Sequence, residues 1–355
     1  MIHRTRIQDW KTLVLFEKNV FRSALAVINN GGYQVCLVIS KAGKLIGIIT
    51  DSDVRKALLK GVCLEDDISM VMNHSPMIIS PEIDETKAHN LMNLNHIFHL
   101  PIVNQSNELV GLHVAEQLCI QPSREETLVI MAGGKGKRLM PLTKDIPKPM
   151  LPLHGKPLLE HIVIKAKDDG FKNIMISVNY LSNKIKDYFQ DGSKFGVEID
   201  YLEEEKPLGT AGAISALINS NLKNPIVVTN GDVITDVAFS DLLACFYKEK
   251  LDGLMAVRLH EMHCPYGVVK TNGADFIEIQ EKPVFQNQVN AGIYVLSPAI
   301  IKLIKENKHF NMTDLFIKAK SNGAKLNVFP LHEKWIDIGK HDDYLTAQHS
   351  ITNQD

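Results

Sequence analysis

Apolar positions in the first third of the chain repeat a pattern. Phe21, Ala24, Leu25 and Ile28 fall at i, i+3, i+4 and i+7, one face of a helix, with Asn19 placed to cap it and Asn29-Asn30-Gly31-Gly32 placed to end it. Two β-branched runs, residues 35–39 and 45–49, flank the turn Lys41-Ala42-Gly43-Lys44, and a further helix opens at Thr50. The order then recurs: Asp84 precedes a helix with Ala88, Leu91 and Met92 on one face, and apolar runs at 100–103 and 109–112 flank a second turn. Gly47 and Gly111 hold equivalent places. Units this small bury their apolar faces against each other, so residues 1–120 read as one domain of two repeats. Residues 121–126 carry Pro122, Ser123 and charges without an apolar period and read as a linker. A second domain, 127–355, starts on the continuous apolar run Leu128-Val129-Ile130-Met131, which suits a parallel-sheet strand covered on both faces.

Composition adds mainly exclusions. With 39 Lys+Arg against 41 Asp+Glu the net charge is -2, and there is no basic excess or stripe for a nucleic acid. No apolar run approaches the roughly 18 residues of a membrane span, and the N-terminal run ends at Phe16, short of a secretory core; the expected compartment is the cytoplasm. Five cysteines at wide spacings contain no CxxC pair and read as reduced, mostly buried thiols. The pairs His96/His99 and His260/His263 have helical spacing but no further ligand nearby; they read as structural, with 96–100 ending a repeat helix.

The candidate chemistry starts where the run at 128–131 meets Ala132-Gly133-Gly134-Lys135-Gly136-Lys137-Arg138. Glycines let backbone N–H groups approach phosphate oxygens, and nearby cations neutralise them. A dinucleotide fingerprint fails at Leu139, and a Walker loop lacks its Ser or Thr after Gly-Lys. Beyond the loop come Arg138-Leu139-Met140-Pro141-Leu142-Thr143, then Pro147-Lys148-Pro149, fixed cations on a proline-stiffened segment. This stretch resembles the sugar-1-phosphate nucleotidylyltransferases, whose opening motif is GGxGxRLxPLT followed by PKP.

The resemblance implies an α/β fold with a Rossmann-like mixed sheet, and a reaction joining a nucleoside triphosphate to a sugar 1-phosphate with release of pyrophosphate. It implies that Ala132, Gly133, Gly134 and Gly136 hold the nucleotide and that Arg138 and Lys148 face the triphosphate. Asn230-Gly231-Asp232 and Trp335-Ile336-Asp337-Ile338-Gly339 match the family's GD and WxDxG motifs, so Asp232 and Asp337 are implied as Mg²⁺ ligands. Glu281-Lys282-Pro283 and Asn290-Ala291-Gly292 match EKP and NAG, and Tyr266-Gly267-Val268 matches YGV. Lys282 then partners the sugar phosphate, Glu281 and Asn290 bond sugar hydroxyls, and Gly267 and Gly292 allow close approach. A phosphate monoester dianion is an adequate nucleophile, so catalysis is expected to be positioning and electrostatics without a general base.

The base is the finer question. In Glu204-Glu205-Lys206-Pro207-Leu208-Gly209-Thr210 the end of the stretch resembles the family's base loop, implicating Gly209 and Thr210, while Glu204 stands where uridylyl and thymidylyl members commonly have glutamine. An ionised carboxylate only accepts, which suits guanine's N1–H and N2–H₂ donors and mismatches a uracil carbonyl, so the expected nucleotide is GTP. The alternative is a solvated acidic run with Glu204 turned outward.

The N-terminal repeats resemble a CBS pair, on Gly47-Ile48-Ile49-Thr50-Asp51-Ser52-Asp53. That resemblance makes Thr50 and Asp53 candidates for an adenine nucleotide, and Val114 and Gln117 remove the equivalent groups from the second copy. Helix capping by Thr50 and Asp53 explains them equally well. CBS pairs also imply association into a homo-oligomer. The layout is similar to that of glucosamine-1-phosphate guanylyltransferases supplying GDP-sugar for legionaminic acid synthesis. Mannose or heptose 1-phosphate as acceptor, uridylyl or thymidylyl transfer on the same fold, and a non-catalytic nucleotide sensor are the competing readings.

Overall fold

The computed structural model describes residues 6–7, 9–115, 124–220 and 222–350, and the chain divides into two compact units, Met1–Gln121 and Pro122–Asp355. Each is described by itself.

In the first unit the helix is Phe21–Gly31, closed by Gly32 in the left-handed conformation (φ 72°). Its N-cap is Val20 rather than Asn19, because the Asn19 Nδ2 donates back to the Phe16 carbonyl (2.9 Å). Strands Val35–Ile39 and Leu45–Thr50 pair antiparallel, joined at one edge by Val14–Phe16. The second copy gives the helix Glu85–Asn95, capped by Asp84, and the antiparallel pair His99–Val103 and Leu109–Val114. Leu13, Val35, Leu37 and Ile48 of the first copy share one cluster with Val103, Leu109, Leu112 and Val114 of the second, while Ile79, Ala88, Met92, Leu100 and Ile102 make a further cluster within the second copy. The second copy's closing helix and residues 121–123 of the expected linker lie outside the described residues.

Three expectations change. Arg124–Met131 is one strand, so Arg124, Glu125 and Glu126 belong to the sheet and not to a linker. The repeat helix ends at Asn95, with His96 left-handed (φ 52°) and His99 opening a strand; His260 and His263 sit on the strand Gly253–His263. Neither histidine pair is helical. None of the four described cysteines is in a disulfide, and of them only Cys36 is buried while Cys63 is exposed.

The second unit is built on a seven-stranded sheet. Across it run Glu198–Glu203, Phe171–Val178, Arg124–Met131, Ile226–Asn230, Val284–Leu296, Gly253–His263 and Leu326–Leu331. Only Val284–Leu296 runs against the rest, giving the expected mixed sheet. The continuous apolar run is explained by its two faces. Leu128 and Ile130 pack with Leu159, Ile162 and Val163 of the helix Leu158–Asp168 and with Phe239, Leu242 and Leu243 of Phe239–Glu249. Val129 points the other way, against Ile214, Met312 and Leu315. Full burial of each such side chain contributes about 1.5–3 kcal/mol, so covering both faces fixes the strand in the interior of the sheet and aims its C-terminal end at the glycine loop. Among the described residues no helix is long and apolar enough to cross a membrane.

Candidate active site

The glycine loop leaves the end of the Arg124–Met131 strand, where the Ala132 amide donates to the Ser177 carbonyl of the neighbouring strand (3.0 Å). Gly136 is left-handed (φ 58°), and the buried Thr143 hydroxyl donates to its carbonyl (2.9 Å), folding the Pro141-Leu142-Thr143 segment back beneath the loop. From outside, the Tyr180 hydroxyl donates to the Lys144 carbonyl (2.8 Å) and Lys184 Nζ to that of Asp145 (2.6 Å). The loop is therefore held from below while Gly134 faces open space.

The two motif aspartates meet through a small antiparallel pair. Val233–Thr235 lies against Trp335–Asp337 with Val233 opposite Asp337, and the Ile338 amide donates to the Asp232 carbonyl (3.0 Å). Chain positions more than a hundred residues apart thus end side by side. Partial burial, and next the Asp232 carboxylate, push the Asp337 carboxyl above its usual value, opposed by Lys148 and Arg138. Lys148, brought in by the short turn Lys148–Met150, makes an ion pair with Asp232; their side chains are 12% and 25% exposed. Arg138 is exposed, with its Nη1 close beside Gly339. Arg138, Lys148, Asp232 and Asp337 form one mixed-charge cluster at the loop.

The Asn290-Ala291-Gly292 segment abuts it. Gly292 is left-handed (φ 74°), and a Cβ there would stand 2.6 Å from Asn230 Nδ2. Asn290 accepts from the Gly292 amide (3.0 Å) and donates to the Tyr294 hydroxyl (2.8 Å), so it shapes this irregular stretch of the strand as well as facing solvent. Trp335 Nε1 donates to the Ala291 carbonyl (2.9 Å), tying the two motifs together. Glu281 and Lys282 follow the exposed strand Asp275–Gln280, and the Glu281 carboxylate lies against Gly267 across the hairpin that joins the two motifs.

Glu204 is not turned outward. Its Oε1 accepts from the buried Ser177 hydroxyl (2.6 Å), its Oε2 from the Leu208 amide (2.8 Å), and a Cβ on Gly133 would come within 2.7 Å of Oε1. Gly209 (φ 80°) packs on the Phe310 carbonyl, and the Thr210 hydroxyl is taken by the Met312 amide (2.9 Å). Thr210 thereby anchors its loop to the helix Met312–Ser321 through one acceptor position of its hydroxyl.

In the first unit, Thr50 and Asp53 form a capping box: the Asp53 Oδ2 accepts from the Thr50 amide (3.0 Å) and hydroxyl (2.6 Å). The structure thus uses both groups at the helix start.

Ser177, Thr143, Tyr180 and Trp335 had no assigned role in the sequence. Thr143 and Trp335 stand inside quoted motifs, and Ser177 carried the signal of a hydroxyl in the apolar strand Ile174-Met175-Ile176-Ser177-Val178.

Comparison with known proteins follows the same division. Residues 127–354 match the nucleotidyl transferase family, and 15–60 and 66–112 match the CBS domain. A D-glycero-alpha-D-manno-heptose 1-phosphate guanylyltransferase of Campylobacter jejuni is 34% identical over 221 residues, 61% of this chain and 96% of that protein. A UTP–glucose-1-phosphate uridylyltransferase of Synechocystis is 32% identical over 249 residues, 64% of this chain and 63% of that protein. The chain thus spans under two thirds of the length of the Synechocystis relative. Among solved structures, HddC from Yersinia pseudotuberculosis complexed with GMP-PN has a TM-score of 0.51 and 27% identity, covering 63% of this chain and 98% of that one. The chain belongs to the nucleotidyl transferase family, with a pair of CBS domains ahead of its transferase domain.

Proposed function

We propose that the protein transfers GMP from GTP to a sugar 1-phosphate, with glucosamine 1-phosphate the first candidate acceptor, releasing pyrophosphate. The observation that carries this reading is the convergence of the glycine loop, two cations and two carboxylates at the C-terminal ends of interior strands, beside the bulged Asn290-Ala291-Gly292 segment.

The division of labour follows from charge and position. Loop amides at 133–136 hold the triphosphate, and Arg138 stabilises the charge developing on the departing pyrophosphate. Lys282 holds the acceptor phosphate, and Glu281, Asn290 and the backbone at Gly267 and Gly292 orient the sugar. In-line attack by the acceptor phosphate oxygen needs two anionic reactants held together, and fixed cations supply that at little reorganisation cost. Asp232 and Asp337 offer oxygen donors side by side, the donor type that fits a hard divalent cation such as Mg²⁺. When bound, such a cation neutralises phosphate charge and polarises the phosphoryl oxygens. Lys148, paired with Asp232, is positioned to pass to a phosphate oxygen once the carboxylate has another partner.

Glu204 as an acceptor between the two nucleotide loops supports guanine, as does the guanylyltransferase activity named for the Campylobacter relative. The N-terminal pair is read as a regulatory or assembly module. The capping box at Thr50 and Asp53 gives an adenine nucleotide no added support.

The test is pyrophosphate release with Mg²⁺ from GTP, UTP, dTTP, CTP or ATP against glucosamine, N-acetylglucosamine, mannose, glucose and heptose 1-phosphates. GTP with one sugar phosphate is the expected pair. Preference for UTP or dTTP refutes the guanine assignment, and no release across the panel, with nucleotide binding retained, favours a sensor.

A further inference from the structure

The seat of Glu204 suggests a selectivity residue that no motif contains. Ser177 occupies the C-terminal end of the strand Phe171–Val178, completely buried, and its hydroxyl donates to Glu204 Oε1 (2.6 Å). Its backbone carbonyl receives the Ala132 amide at the start of the glycine loop (3.0 Å). The main chain of Glu204 is fixed as well, through its amide to the Val178 carbonyl (3.0 Å) and through Asn179 Nδ2 to its own carbonyl (2.5 Å). The carboxylate bridges two loops: Oε2 takes the Leu208 amide (2.8 Å) ahead of Gly209, and Oε1 lies against Gly133.

A carboxylate has about four lone-pair positions, and these two donors occupy two, leaving acceptor capacity on each oxygen. The orientation of what remains depends on the rotamer. With Ser177 in place, χ angles of Glu204 are tied at both oxygens. Without it, Oε1 loses its protein donor and the side chain can turn about the Leu208 contact. Glutamate loses considerable rotamer freedom when held this way, so a fixed rotamer has to be enforced by such bonds.

We propose that Ser177 is a specificity-determining positioning residue, holding the Glu204 carboxylate in the orientation that accepts from a purine bearing adjacent N–H donors. This rests on the guanine reading above and goes beyond it. It assigns base selectivity to the Ser177–Glu204 pair, with Ser177 acting only through Glu204.

The experiment measures equilibrium binding of GTP and of UTP to the full-length protein by calorimetry, so the sugar need not be known. The variants are Ser177→Ala, Ser177→Thr, Glu204→Gln and the double variant Ser177→Ala/Glu204→Gln, each checked for an intact unfolding transition. The wild-type GTP:UTP ratio reports the guanine reading alone. The change in that ratio on Ser177→Ala reports this proposal: a fall of about tenfold is expected, the scale of losing one hydrogen bond to a charged group. Ser177→Thr, which keeps the hydroxyl, is expected to restore the ratio. In the Glu204→Gln background, Ser177→Ala is expected to change it by less than about threefold, because coupled residues are not additive. A wild type favouring GTP together with an unchanged ratio in Ser177→Ala overturns the proposal and leaves the function standing. An equal loss of affinity for both nucleotides marks Ser177 as merely structural and also overturns it. A wild type favouring UTP, or binding neither nucleotide, overturns both.

Discussion

Replacing Lys148 by Met removes one charge while keeping most of the side-chain volume, and the ion pair with Asp232 sets the cost. Exposed pairs contribute about 0–1 kcal/mol, whereas breaking a buried one costs about 3–5 kcal/mol because the surviving charge is stranded. With Lys148 and Asp232 side chains 12% and 25% exposed, the expected loss lies between those limits, about 2 kcal/mol. The stranded carboxylate also faces Asp337, whose carboxyl is raised by burial first and by Asp232 next. In a domain above 150 residues, about 2 kcal/mol corresponds to a fall in Tm of roughly 4–8 °C. The assay is thermal unfolding of Lys148→Met and wild type in a chelator, reading the transition of the 122–355 unit. Mg²⁺ is then titrated in. The divalent cation is expected to raise the Tm of the variant more than that of the wild type, since it relieves a repulsion that Lys148 otherwise relieves. A metal-free Tm within a degree of wild type would show that the pair contributes nothing and would refute the electrostatic account of the cluster.

Three further outcomes follow from local geometry. Gly292→Ala imposes a left-handed backbone on a residue with a Cβ and drives that atom to 2.6 Å from Asn230 Nδ2. A loss of about 2 kcal/mol is expected in urea unfolding, with nucleotide turnover reduced because Asn230 leads into Asp232; wild-type behaviour would show that the strand relaxes freely here. Burial raises the Asp169 carboxyl pKa despite Lys165 and the Phe239 amide (2.7 Å). The folded chain then binds a proton that the unfolded chain has released, so this group's contribution falls as pH rises from the ordinary carboxylate value through the raised one. Across that interval Asp169→Asn is expected to gain stability relative to wild type with rising pH, and parallel curves would contradict the assignment. Burial also pushes the Cys36 thiol up to about 12, so it is expected to resist a thiol reagent in the native protein while the exposed Cys63 reacts; prompt labelling of Cys36 would place it on an opening segment.

The chemistry of the site was legible because it is written in short local strings. A glycine loop after a buried strand, the Pro147-Lys148-Pro149 segment and the two aspartate motifs are visible without a fold, since backbone approach to phosphate requires glycine and charge neutralisation requires fixed cations. Strands and turns of the repeats were legible for a related reason: β-branched runs around Gly43 specify a hairpin locally. Boundaries were not. Asn19 can bond either forward to the helix or backward to Phe16, and only the surrounding chain selects. Arg124 to Glu126 lack an apolar period yet extend a strand, because the Arg124 amide finds the Gly170 carbonyl (2.9 Å) and its guanidinium the Asp169 carbonyl (2.9 Å).

What the sequence by itself determined is the set of chemical groups and the local conformations that carry them: the apolar run covered on two faces, the glycine loop and the acidic and basic residues of the motifs. Which groups meet was decided by the tertiary structure. The pairing of Val233 with Asp337 places two carboxylates together, and Ser177 sits beneath Glu204 because strands Phe171–Val178 and Glu198–Glu203 are neighbours. The local bonds of Thr210 and Asn290 arise for the same reason: each hydrogen-bonding group goes to the partner that packing brings within about 3 Å, and sequence spacing does not specify which partner that is.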